Sequence, residues 1–365
     1  MKSLLNELEI STPGRVCLFG EHQDYLHLPI VASAISLRIS IKGRRRNDKL
    51  INISLPNISS QKSFNLGDPI IYTEERDYFK SSLKVLLRNS FTFADGFDCT
   101  VEGRIPINAG TSSSSALIVT WINFLARMSD QSVVLPLEKL ARYSYEAEVL
   151  EFSEPGGMMD QYSTTFGGII SIDFFPDTLV TKLDAKLKTF VLGNSGEPKN
   201  TKFILSHVKA QILNVDSKIR KLDPNFSLQI VNINELPDYK KHLSETQFAL
   251  LEGTINNRDI TTIARTELNK KNPDHKMIGK LLNEHQKILR DILDISTPKI
   301  DGMINAALNA GAYGAKINGS GGGGCMFAYA PENPRQVYEA ISKISDEVYI
   351  IYPDEGTREE AFEKI

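Results

Sequence analysis

The chain reads as an α+β protein of two domain-sized units, and three observations predict this. Short β-rich runs fill the first third. Helical stretches dominate after about residue 173. Strand-like runs return near the end, between the last helices. At 365 residues the chain also exceeds the roughly 250–300 at which a single core stops growing. The grammar changes within residues 174–200, which sets an expected division into residues 1–185 and 186–345, with the last strand, about 346–365, rejoining the first unit. No internal repeat of 20–50 residues interrupts this reading.

The first strands are expected at residues 15–19 and 30–41. A polar turn at 42–48 closes the second, and the pattern continues at 51–55 and 96–101. The run Arg44, Arg45, Arg46 falls between strands and reads as a solvated hairpin tip. A helix should start in the serine run 112–115, because serine hydroxyls cap free N–H groups, and continue to Met128. It is apolar nearly all round, so it should be buried. Pro136 suits a first helical position and opens a helix toward Leu150. Further helices are expected at 203–222, 237–252, 277–295 and 298–310, the last ended by Gly311. Strands at 313–318 and 325–330, a helix at 334–344 and a strand at 347–352 complete the pattern.

Composition excludes several classes. Hydrophobic residues make up 41% and charged residues 24%, so the chain is not disordered. With 42 Lys+Arg against 45 Asp+Glu the formal charge is −3, which gives no basic footprint for nucleic acid. Cys17, Cys99 and Cys325 lie too far apart for a CxxC pair or zinc cluster, and an odd number makes a poor disulfide framework. No apolar run approaches the ~18 residues of a membrane span, and Asn6, Glu7 and Glu9 interrupt any leader-like stretch. The expectation is a soluble, cytoplasmic monomer acting on small molecules, with no nucleic-acid or membrane partner.

Four segments carry chemistry. A short apolar strand delivers Glu21, His22 and Asp24 just after Gly20, a set able to hydrogen-bond a polyhydroxylated ligand, or a surface turn. Gly110, Thr111, Ser112, Ser113, Ser114 and Ser115 lead straight into the buried helix. Small residues and a helix N-terminus suit phosphate, and serine hydroxyls suit Mg²⁺; the plainer alternative is a serine cap. No Walker A spacing is present. Gly319, Gly321 and Gly324 satisfy GxGxxG on paper. A dinucleotide fingerprint must open a helix, however, and here a strand follows. Finally Glu148 and Asp160, the latter after a Gly156–Gly157 turn, are candidate catalytic carboxylates, against a solvent-facing Glu and a capping Asp.

In this order the segments resemble the GHMP kinase superfamily, and residues 14–25 are most similar to its galactokinase signature. Residues 282–285, 289–291 and 296–298 agree as well, so the resemblance covers nearly the whole chain. It implies a two-domain GHMP-kinase-like fold with the active site in the cleft between domains, and ATP and Mg²⁺ as cofactors. Carried over, Asp160 and Arg15 are catalytic: the first beside the reacting hydroxyl, the second near the transferred phosphoryl. Glu21, His22, Asp24 and Gly157 hold the sugar, and residues 108–115 wrap the ATP phosphates. Ser114 and Glu148 serve the metal, and Gly319, Gly321, Gly322 and Gly323 support the site from the second domain. The reaction implied is phosphorylation of the anomeric hydroxyl of galactose. Alternatives are a kinase for a uronic acid or amino sugar, and a non-catalytic ligand sensor.

The chain departs from the galactokinase pattern in three places. Residues 26–29 form a shorter loop, and Asn108 stands where the phosphate loop has a glycine. Residues 195–201 lack the tyrosine that meets the sugar, and carry Lys199 with Lys202 just beyond.

Overall fold

In the computed structural model, which describes residues 4–198 and 201–361, two sheets meet across a cleft. The first half contains β1 (Glu7–Phe19), β2 (Ile30–Arg45), β3 (Leu50–Leu55), β4 (Ser60–Asn65), α1 (Tyr78–Arg88), β5 (Phe97–Gly103), α2 (Ser113–Met128), α3 (Leu137–Tyr145), α4 (Met159–Phe166), β6 (Ile169–Asp173) and β7 (Leu179–Lys182). The remainder contains β8 (Phe190–Asn194), α5 (Thr201–Arg220), α6 (Glu245–Leu268), α7 (His275–Asp291), α8 (Pro298–Asn309), β9 (Gly314–Ile317), β10 (Cys325–Tyr329), α9 (Pro334–Ile341), β11 (Glu347–Ile351) and β12 (Arg358–Glu359). The fold is α+β, as expected.

The first sheet runs β12-β1-β2-β5-β3-β4, with β6 on the upper half of β2 and β7 beyond it. Its long spine pairs Glu7–Phe19 with Ile30–Arg45, broken by register shifts at Pro13/Arg15 and Cys17/Phe19. These irregularities re-aim the end of β1, the usual effect of a bulge next to a site. The second sheet runs β11-β8-β10-β9, all antiparallel. Residues 347–351 therefore pair within the second sheet, while Ile10 and Ser11 of β1 receive only Glu359 and Arg358.

Helix α2 is buried along most of its length, as its composition predicts. Trp121 stacks on Phe124 (5.5 Å, 8°) and donates from its indole to the Phe79 carbonyl (3.1 Å), which ties α1 to α2. Each aromatic buries a large apolar surface, so this cluster anchors the first half. In the second half, Asp274, Thr297 and a Ser244–Gln247 capping box start α7, α8 and α6.

Several expectations need correction. The helix expected at 237–252 is two elements: a 3₁₀ segment Ile233–His242, then α6, which runs on to Leu268. Gly253 does not end it. A Cβ there would lie 2.9 Å from Ile292 Cγ2, so the glycine marks where α6 and α7 approach. Elements α1, α4, β4, β6, β7 and β8 were not anticipated; most are short and read weakly by periodicity alone. The arginine run is not uniformly solvated. Arg44 is exposed, but Arg45 packs against Phe97 and donates to the carbonyls of Leu5 (3.2 Å) and Met128 (2.6 Å). The three cysteines are buried, and none forms a disulfide among the described residues. Among the described residues, no helix is long and apolar enough to cross a membrane.

Candidate active site

Between the sheets lies an open cleft. One wall is the loop from β5 to α2. Asn108, Gly110 and Ser112 take left-handed φ values of 56°, 84° and 60°, and this winding carries the chain sharply into α2. Ser112 occupies the cap position, yet its side chain makes no capping bond, and its Oγ is buried with no partner among the described residues. The cap alternative therefore does not account for Ser112. A helix N-terminus without that cap favours an anion, through its free N–H groups and partial positive charge. Gly110, Ser112, Ser113 and Ser114 line the cleft; Thr111 and Ser115 are buried behind them.

Arg15 from β1 joins this loop to α4. Its Nε and Nη2 lie 2.9 and 2.7 Å from Asp160 Oδ1, and Nη1 donates to the Gly110 carbonyl. The backbone N–H of Arg15 donates to Thr111 O (3.1 Å). Arg15 is 3% exposed and Asp160 32%, so the carboxylate still faces the cleft while its cation is sealed beneath it. Asp160 sits in the first turn of α4 rather than at a cap, with Met158 preceding the helix.

The opposite wall holds Glu21, His22 and Asp24. Lys316 of β9 is buried and spends its ammonium on Glu21 Oε1 and the carbonyls of Cys17 (3.1 Å) and Ile317 (3.0 Å). Buried His285 lies 3.8 Å from the other Glu21 oxygen. Burial, and then the Lys316 charge, hold its pKa well below the usual histidine range, so it is neutral. His22 Nε2 meets the Ser320 carbonyl (3.0 Å), which requires Nε2 to be the donor. Nδ1 then accepts from the Tyr25 hydroxyl (2.8 Å). Asp24 accepts from the N–H groups of Tyr25 (2.9 Å) and Met159 (3.4 Å). It has no ion pair among the described residues, and burial, then Asp160, push its pKa up to about 6. A Cβ on Gly157 would fall 2.1 Å from Asp24 Oδ2, so any larger residue there would displace the carboxylate.

Glu148 lies in a π-turn, Glu146–Leu150, that follows α3, and is 8% exposed. Burial raises its pKa, opposed by the hydroxyls of Ser114 and Ser115 and by Gln161. Gln161 Nε2 donates to Glu148 Oε2 at 2.6 Å. Residues more than thirty positions apart thus supply one buried carboxylate and adjacent hydroxyls, the oxygen donors a hard cation takes. The orphaned Ser112 Oγ and Gln161 Oε1 beside them also fit a polar guest.

The glycine loop closes the cleft from the second sheet. Asn318 Nδ2 donates to Gly110 O (2.8 Å), Cys325 N to Ala109 O (2.8 Å), and a Cβ on Gly319 would lie 2.9 Å from Gly110 O. Gly319 lines the cleft, but Gly321, Gly322 and Gly323 do not. They turn with positive φ against Ile295, Ile204 and Glu197.

Sequence reasoning missed Arg76, Tyr78, Glu154, Thr201 and Leu205, which form the outer rim. Nothing in their local pattern marks them. Lys316 was also missed, and Gln161, which ends the motif containing Asp160, was given no role. Lys202 is exposed, 3.9 Å from Glu154; Lys199 lies outside the described residues.

Comparison with known proteins bears on the family and the fold. Residues 6–45 match the galactokinase galactose-binding signature, 77–168 the GHMP kinase N-terminal domain and 264–347 the GHMP kinase C-terminal domain. The chain is 26% identical over 346 residues to a mevalonate kinase of Pyrococcus horikoshii, covering 91% of each. It is 25% identical over 384 residues to a galactokinase of Actinobacillus succinogenes, covering 96% of this chain and 94% of that one. The crystal structure of Lactococcus lactis galactokinase complexed with galactose superimposes with a TM-score of 0.85 at 20% identity, over 96% of this chain and 95% of that one. The two-domain architecture, the three family matches and the full-length relatives agree: the chain belongs to the GHMP kinase superfamily, as an ATP-using small-molecule phosphotransferase.

Proposed function

We propose that the protein is an Mg·ATP-dependent kinase that transfers a phosphoryl group to the anomeric hydroxyl of galactose, forming galactose 1-phosphate. The reaction would occupy the cleft between an N-terminal unit, residues 1–185 joined by the strand Arg358–Glu359, and a C-terminal unit, residues 186–345 with the strand Glu347–Ile351. The observation that carries this reading is the Arg15–Asp160 pair. It stands between a helix-end anion site and a wall of hydrogen-bonding side chains; both residues line the cleft, Asp160 the more openly.

Phosphoryl transfer needs chiefly alignment and charge neutralisation. The N–H groups at the start of α2, with Gly110 through Ser115, would hold the phosphates, and Arg15 would stabilise the moving group. Asp160 would take the hydroxyl proton at its exposed carboxylate face and return it to solvent after product leaves. Ser114 and Glu148 would hold Mg²⁺, which when bound offsets phosphate charge. The sensor alternative leaves the Arg15–Asp160 pair unexplained.

Charge supports a neutral substrate over an anionic one. Glu21 is offset by Lys316 and Asp160 by Arg15, but Asp24 carries no paired cation. Sugar hydroxyls can donate to it, whereas a substrate carboxylate would be repelled. ADP release should be followed on galactose, glucose, galacturonate, galactosamine and mevalonate. Galactose should give the highest kcat/KM, with glucose lower by up to ~10⁴-fold because misplaced hydroxyls leave polar groups unpaired. More efficient turnover of galacturonate or mevalonate would overturn the choice of substrate and leave the phosphoryl-transfer machinery standing.

A further inference from the structure

The side chain next to Asp160 has no part in the reaction described above, yet it is built into the site. Gln161 is 2% exposed and lines the cleft. Its amide carries two donors and one acceptor oxygen. Nε2 donates to Glu148 Oε2 at 2.6 Å, while Oε1 is buried with no partner among the described residues. Leaving such an acceptor unpaired costs stability, and an apolar side chain of similar volume would avoid the penalty. A guest that suits both groups must therefore donate hydrogen bonds to Oε1 and be attracted to the adjoining carboxylate. Phosphate does neither, since it offers acceptors and is repelled by Glu148. A hydrated divalent cation does both: the ion attracts Glu148 and its water donates to a carbonyl oxygen. Mg²⁺ in particular keeps several waters when it binds.

We propose that Gln161 is a positioning residue for the divalent cation, fixing the Glu148 carboxylate through Nε2 and accepting from the ion's hydration shell through Oε1. This rests on the reading of Ser114 and Glu148 as metal-holding residues. Outer-shell partners of this kind are worth about 10–100-fold in metal affinity.

The test is calorimetric titration of ADP into the full-length protein at a series of Mg²⁺ concentrations, for wild type, Gln161→Leu and Gln161→Met. The methionine variant has nearly the native volume and no amide, so it separates the proposal from a packing defect. Thermal melts check that each variant is folded. The expected result is unchanged ADP affinity without metal, with the apparent Mg²⁺ affinity lowered about 10–100-fold in both variants. Folded variants with wild-type Mg²⁺ dependence would overturn the proposal alone. Wild-type ADP binding that is indifferent to Mg²⁺ would instead overturn the metal reading, and the proposal with it.

Discussion

The wall of the cleft proposed to hold phosphate comes from one continuous stretch, residues 108–115, and is shaped largely by backbone: left-handed turns and the start of α2. The facing wall is assembled from side chains whose partners are remote in sequence. Lys316 holds Glu21, Ser320 holds His22, and Gly157 makes room for Asp24. Backbone groups cannot be removed by substitution and do not titrate, so apart from Ser114, proposed to hold the metal, and Gly110, whose φ is 84°, the first wall should tolerate side-chain change and pH. The second depends on buried charge, where losing one partner strands the other. Mutational and pH sensitivity should therefore concentrate on the substrate side and on Asp160, where the two walls meet.

The largest effect should come from Asp160→Asn. Loss of the proton acceptor should lower kcat by about 10²–10⁴ with ATP binding nearly unchanged. A folded variant with near-normal turnover would sever Asp160 from the chemistry. Next comes Gly157→Ala. Its new Cβ occupies the place of Asp24 Oδ2, so the carboxylate must swing off the Met159 N–H while the fold survives. We expect the sugar KM to rise about tenfold, the cost of one polar contact. Gly156→Ala, which has nothing within 4 Å of its Cβ, is the matched control and should leave KM alone. Equal effects at the two glycines would show that backbone freedom, not the Asp24 contact, is what matters there.

The sharpest test of the contrast is pH. Asp24 ionises near pH 6, because burial and then Asp160 disfavour its charge. Its ionised form accepts sugar hydroxyls, so kcat/KM for sugar should rise about tenfold per pH unit below that value and flatten above it. Asp24→Asn should remove this limb. Stability runs the other way. The native carboxyl holds its proton to about 6, against 3.8 for the ordinary group, so the native state binds more protons between these values. Stability then falls as pH rises through that window. At pH 7 Asp24→Asn should melt higher, by up to about 1–3 kcal/mol of stability, and the gap should close near pH 4. A gap that does not change with pH would mean that Asp24 titrates alike in the folded and unfolded protein, with no burial effect on its carboxyl.

What could be read from sequence follows one physical rule. Features set by neighbours in the chain were legible: the serine run opening α2, the apolar length of that helix, Pro298 at the head of α8, and β10 following the glycine loop, which excluded a dinucleotide site. Short polar elements were not. Helix α1 is amphipathic but only 11 residues long, and strand β8 is a buried run of 5 residues, too short for periodicity alone to classify; packing on α2 and β10 selects their conformation. Candidate residues could be listed from motifs, but a motif states which groups are present and not what each one faces. Only the tertiary structure brought Ser114 to Glu148, sealed Arg15 beneath Asp160, and left Asp24 without a cation while giving Glu21 one from β9. The reason is that charge, burial and pairing are properties of the assembled interior. A carboxylate's behaviour depends on atoms within a few ångströms, and here those atoms come from the far end of the chain.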